Sequence, residues 1–101
     1  MTSALALNTA SGSATAGQSL AASWTGSTDK QDWIGVYVTG ASDASYLAWE
    51  YTSCSHSWAS SAVVSGSCAF TMPSTAGTYE FRFFGAGSNT AIARSGTVTV
   101  S

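Results

Sequence analysis

Apolar side chains recur at every second position along most of this chain. In SALALN (residues 3–8), Leu5 and Leu7 share a face. In QSLAASWTG (18–26), Leu20, Ala22 and Trp24 fall on one face, with Ala21, Ser23 and Thr25 opposite. DWIGVYV (32–38) separates Ile34, Val36 and Val38 from Trp33, Gly35 and Tyr37, and YLAWEYT (46–52) sets Leu47, Trp49 and Tyr51 against Tyr46, Ala48 and Glu50. GTYEFRFF (77–84) aligns Tyr79, Phe81 and Phe83 against Glu80, Arg82 and Phe84, and GTVTVS (96–101) places Val98 and Val100 inward. A period of two rather than 3.6 predicts half-buried antiparallel strands.

Turn-forming segments separate these runs: TASGSATAG, TGSTDK, TGASDAS, PSTAG and GAGSNT. SCAFTM (67–72) supplies a further strand ahead of Pro73, the single proline. The expectation is an all-β chain: one seven-stranded antiparallel immunoglobulin- or fibronectin III-like β-sandwich over residues 1–101, with one disulfide. In such a sandwich the third, sixth and seventh strands share a sheet, so Trp33, Tyr37, Glu80, Arg82 and Phe84 should be neighbours on its outer face. Arg94 has the parity of Val98 and Val100. Either a bulge near Ser95–Gly96 turns it out, or it is buried and paired with Asp32, because an unpaired buried guanidinium is costly. Asp32 with Arg82 or Arg94 therefore reads as a structural ion pair.

Charge narrows the function classes. Of 101 residues only three are Lys or Arg and five Asp or Glu, for a net charge of −2. Nucleic-acid binding needs a basic surface to displace counterions, and three cations do not make one. No apolar run approaches the roughly twenty residues of a membrane helix. The opening MTSALALN is too short and uncharged for a signal peptide, so a secretory reading expects any such segment to have been removed. A surface rich in Ser, Thr, Gly and Ala, kept soluble by hydroxyls, suits a secreted, extracellular protein.

Candidate chemistry gathers in SCSHSWASSAVVSGSC (53–68), which holds both cysteines, the single histidine and Trp58. A Cys/His nucleophile needs a free thiolate beside its base. Two cysteines in a small chain of secreted character are expected to be joined instead. A Cys54–Cys68 bridge closes a loop worth roughly 3 kcal/mol in the chain-entropy model. One histidine and two oxidised cysteines do not make a zinc site. Calcium could draw on Asp29, Asp32 and Asp43, but no glutamate stands at loop-end spacing, so no metal and no cofactor is expected. Glu50 and Glu80 on separate strands are no glycosidase pair, and one histidine without GxSxG gives no triad. The chain reads as non-catalytic.

What remains is display. Trp58 in a stapled polar loop either plugs the sandwich edge or stands out as a platform for the apolar C–H face of a sugar ring. His56 could donate to a sugar hydroxyl. Tyr46 and Glu50 are candidates for an exposed face. Trp49 and Tyr51 share parity with Leu47 and read first as core or edge packing, with Trp49 a further ligand candidate.

Taken in order, AASWTG, DWIGVY, YLAWEYT, YEFRFF and AIARSGTVTV resemble a widespread Ig/fibronectin III-like family of secreted-protein modules. Similar patterns mark SKICH-like domains and the N-terminal domains of purple-acid-phosphatase-like proteins. The resemblance covers nearly the whole chain and implies an accessory module, often covalently linked to a catalytic domain. The cysteine-closed segment 54–68 departs from the pattern. The resulting expectation is a carbohydrate-binding or lectin-like module whose partner is a polysaccharide or glycan, with no nucleic acid or membrane partner. The alternatives are a scaffold domain attached to a secreted phosphoesterase or glycan-active enzyme, and an adhesion module using an exposed strand edge.

Overall fold

The computed structural model describes residues 6–101 and has no helix among them. Nine strands follow in order: β1 (Ala6–Thr9), β2 (Ser13–Ala14), β3 (Ser19–Thr25), β4 (Trp33–Val38), β5 (Ala48–Tyr51), β6 (Ser65–Thr71), β7 (Gly77–Phe84), β8 (Ala91–Arg94) and β9 (Val98–Val100). Leu5, expected beside Leu7, lies outside the described residues. One sheet has the order β1-β3-β6; the other runs β2-β9-β7-β4-β5, with β8 also on β7.

The two sheets close over a single core. Leu7, Leu20, Ala22, Trp24, Cys68 and Phe70 from the smaller sheet meet Ile34, Val36, Phe81, Phe83, Val98 and Val100 from the larger. Alternation created this layer: the inward parity of β3, β4, β6 and β7 is apolar throughout, each large aliphatic or Phe side chain worth about 1.5–3 kcal/mol when buried. Trp24 keeps its polar handle satisfied, donating Nε1–H to the Val63 carbonyl at 2.9 Å.

The purely antiparallel, seven-stranded expectation is corrected to nine strands in mixed sheets. After β1 the chain leaves β3 through Ser11–Gly12, and β2 then lies parallel to β9, Ser13 opposite Thr99 and Ala14 opposite Val100. The C-terminal segment breaks between β8 and β9 at residues 95–97. There the Ser95 hydroxyl accepts the Phe81 N–H at 2.9 Å, and the Ser95 N–H donates to the Phe81 carbonyl. This break decides the two readings of Arg94. It is 54% exposed at its side chain and donates to Glu80 at 3.2 Å, so it is neither buried nor paired with Asp32.

Two other expectations change. Val38, expected inward, is exposed at the end of β4. In β5, Glu50 lies opposite Ile34 and Ala48 opposite Val36, so these two take the core parity. Trp49 and Tyr51 lie opposite Gly35 and Trp33 on the outer face, while Leu47 is exposed ahead of the strand. The core reading of Leu47, Trp49 and Tyr51 is therefore inverted. Periodicity fixes which residues share a face, but not which face the core covers.

The outer face explains the inversion. It carries its own apolar layer, so β7 is buried on both sides: Arg82 and Phe84 are fully buried and Glu80 nearly so. The segment 39–47, between β4 and β5, folds over this face and is pinned by Asp43. One Asp43 oxygen accepts from Arg82 Nη1 at 2.8 Å and the other from the Ala91 N–H at 3.2 Å, while the Asp43 carbonyl accepts the Tyr37 hydroxyl at 2.7 Å.

Candidate functional site

On this outer face the structure gathers aromatic side chains from three places: Trp33 on β4, Tyr46 in the covering segment, and Trp49 and Tyr51 on β5. Trp33 stacks flat on Phe84, with centroids 3.9 Å apart and planes 7° from parallel. Tyr46 and Trp49 then meet Trp33 nearly edge-on, at 77° and 79°. Tyr51 stands at 87° to Trp49. Gly35 makes this crowding sterically feasible. A Cβ there would lie 2.7 Å from Tyr37 Cε1 and 3.4 Å from Trp33 Cζ3, so a bare backbone is needed for close approach.

The rings enclose an open cleft of about 440 Å³, walled by Trp33, Tyr46, Trp49 and Tyr51 and edged by Asp43 and Asn89. That size is within the range of small-ligand sites, which combine apolar walls with a few placed polar groups. Tyr46 is 48% exposed, so part of its ring is available to a ligand. Nearby Trp58, also 48% exposed, is not a plug. It meets Tyr51 edge-on at 5.5 Å and extends the aromatic row beyond the cleft.

Asp43 also belongs to a charge cluster with the buried Arg82 and Glu80. Arg82 donates Nε–H to Glu80 at 2.7 Å and Nη1–H to Asp43 at 2.8 Å, and its guanidinium carbon sits 4.3 Å from the Tyr37 ring centroid. Burial opposes the Arg82 charge, but the Glu80 and Asp43 carboxylates outweigh it and hold its pKa above the ordinary value. Burial first, then the Asp43 charge, pushes the Tyr37 phenol up to about 12. Charges in this layer are therefore matched, and Arg82 has no surface to offer a ligand.

The ion pair expected between Asp32 and an arginine is corrected. Asp32 is buried and organises backbone instead. Its Oδ2 accepts the Ser27 hydroxyl at 2.7 Å and the Thr28 and Asp29 N–H groups, and Oδ1 accepts the Ala86 N–H at 3.0 Å. It thereby ties the 27–32 turn to the 85–90 turn that carries Asn89. Several N–H donors satisfy a buried carboxylate as well as one guanidinium does.

The stapled loop holds the remaining candidates. Cys54 and Cys68 are joined, with Cα atoms 5.3 Å apart. The bridge ties the turn after β5, an edge strand of one sheet, to β6, an edge strand of the other, so it closes one flank of the two layers. Its presence is consistent with an oxidising, extracellular setting. Cys54 has φ of 65°, in the left-handed region unusual for a non-glycine residue. His56 stacks on Trp49 at 4.4 Å and 12°, with Nε2 2.8 Å from the Trp49 carbonyl oxygen. A carbonyl only accepts, so this contact places the ring proton on Nε2.

Glu50 sits apart from the cleft, on the inner side of β5. Its Oε1 is buried without a hydrogen-bond partner among the described residues, and burial raises its pKa against the opposing influence of His56. Its carboxylate lies with both cysteine sulfurs in a group whose candidate ligand atoms fall within 4.8 Å. Those sulfurs are bonded to each other, so no thiolate is available there.

Of the residues singled out in the sequence, Tyr46 and Trp49 line the cleft, His56 backs Trp49, and Trp58 flanks Tyr51. Glu50 is not brought to the cleft. The sequence does not mark Trp33, Tyr51, Asp43 and Asn89 as ligand residues. The outward parity of Trp33 was the one available signal for them. No family model, curated protein or solved structure matches the chain.

Proposed function

We propose that this chain is a non-catalytic carbohydrate-binding module that presents sugar rings to the cleft between Trp33, Tyr46, Trp49 and Tyr51. The observation that carries this reading is the cleft itself: four partly exposed aromatic side chains around about 440 Å³, with Asp43 and Asn89 at its edge. Aromatic faces and edges match the alternating C–H and O–H surfaces of a pyranose, and the polar edge groups would orient hydroxyls. Stapling at Cys54–Cys68 and pinning by Asp43 hold the walls before binding, which lowers the ordering cost.

The architecture supports placing the module among immunoglobulin- or fibronectin III-like sandwiches. Joining β1 to β2, and β8 to β9, as single interrupted strands leaves seven, arranged three and four. The disulfide and the hydroxyl-rich surface support secretion, and an appended catalytic domain would supply the chemistry. Binding of oligosaccharides is tested by titration calorimetry and tryptophan fluorescence on wild type and Tyr46→Ala. Loss of one stacking ring should weaken binding by about 1 kcal/mol, or roughly fivefold in Kd, with the strand signature in far-ultraviolet circular dichroism retained. If no saccharide in a broad glycan array binds, the proposal fails and a scaffold role is favoured.

A further inference from the structure

The cleft is flanked by two further depressions, each sharing lining residues with it, one of them reached around the edge of β5. On one side it shares Tyr46 and Trp49 with a depression of about 410 Å³ that continues past Glu50 and His56 to Thr71 on β6. On the other it shares Trp33, Tyr51 and Asn89 with a depression of about 290 Å³ that reaches Gln31 and Ser88. Each section offers aromatic surface and at least one hydrogen-bonding side chain, a repeated pattern suited to a repeating ligand. None of the three sections is lined by Lys30, Arg82 or Arg94. The charged side chains lining them are Asp43, whose two oxygens are already engaged, and Glu50. Such a lining offers an anionic glycan no cation to pair with and complements an uncharged one.

We infer that the cleft and its two flanking depressions together take an uncharged linear polysaccharide, with a central subsite over Trp33 and Trp49 and one subsite to either side. This rests on the sugar reading above. A single terminal sugar would leave both flanking depressions empty, whereas a chain fills all three and adds binding energy unit by unit. Gln31 and Ser88 mark one end of the path, and His56 and Thr71 the other.

The test is calorimetry at low salt with gluco-, manno-, xylo- and chito-oligosaccharides from one to six units, with polygalacturonate and heparin as anionic probes. Expected is a Kd for the best series that falls about tenfold or more from disaccharide to tetrasaccharide, equivalent to about 1.4 kcal/mol, then levels off. Gln31→Ala should weaken only the longer oligomers, and Asn89→Ala should weaken every length that binds. A monosaccharide bound as tightly as the hexasaccharide, or tighter binding of either anionic polymer, overturns the extended-site inference and leaves the sugar reading standing. Binding of no saccharide at any length overturns both.

Discussion

Asp43 joins the architecture to the site, and Asp43→Ala tests that connection. Arg82 is 0% exposed and has two carboxylate partners, Asp43 and Glu80. Removing one partner of a buried ion pair costs about 3–5 kcal/mol, because the remaining charge is left without compensation. Glu80 keeps its bond to Arg82 Nε, so the lower end applies, about 3 kcal/mol. For a chain of this size each kcal/mol moves Tm by about 4–8 °C, giving an expected loss of about 12–24 °C. The assay is thermal and urea unfolding of wild type, Asp43→Ala, Arg82→Met and the double variant. The double variant should be more stable than Asp43→Ala alone. It removes the guanidinium left with only one of its two carboxylates, while Glu80 retains Arg94 as a partner at 3.2 Å. A loss below about 1 kcal/mol for Asp43→Ala would be the behaviour of a surface ion pair. Together with no recovery in the double variant, it would refute the buried-charge reasoning.

Other predictions follow from the same contacts. Replacing Cys54 and Cys68 together with Ala should cost roughly 3 kcal/mol, the entropy released when a loop spanning 14 positions opens, read from urea midpoints under non-reducing conditions. Gly35→Ala drives a methyl to within 2.7 Å of the buried Tyr37 ring. It should cost about 1–3 kcal/mol by overpacking and shift the near-ultraviolet circular dichroism of the aromatic layer. Glu50 has a folded pKa raised by burial, so its ionisation disfavours the folded state. The sign follows directly: that penalty is absent below the unfolded carboxyl pKa of about 4.3 and grows as pH rises through the raised folded value. Glu50→Gln should therefore stabilise the protein at pH 7 and make no difference near pH 3.5, as measured by Tm against pH. Equal effects at both values would count against the assignment.

Alternation in β3, β4, β6 and β7 by itself determined the strands and most of the core. Burying Leu20, Trp24, Ile34, Phe70, Phe81 and Phe83 on one parity leaves few other arrangements for them. The cysteine pairing was equally legible, since two cysteines admit one bridge. Tertiary structure alone decided the rest. The sequence presents Leu47, Trp49 and Tyr51 as one apolar face, but only the opposition of Glu50 to Ile34 shows that face turned away from the core. A carboxylate such as Asp32 can be satisfied by a guanidinium or by backbone N–H groups, and only the fold of the 27–32 and 85–90 turns supplied the latter. The cleft takes its walls from β4, the segment pinned by Asp43, β5 and the turn bearing Asn89. Local periodicity records which residues share a strand face; a site built from separated segments exists only once the long-range hydrogen bonds that hold them together have formed.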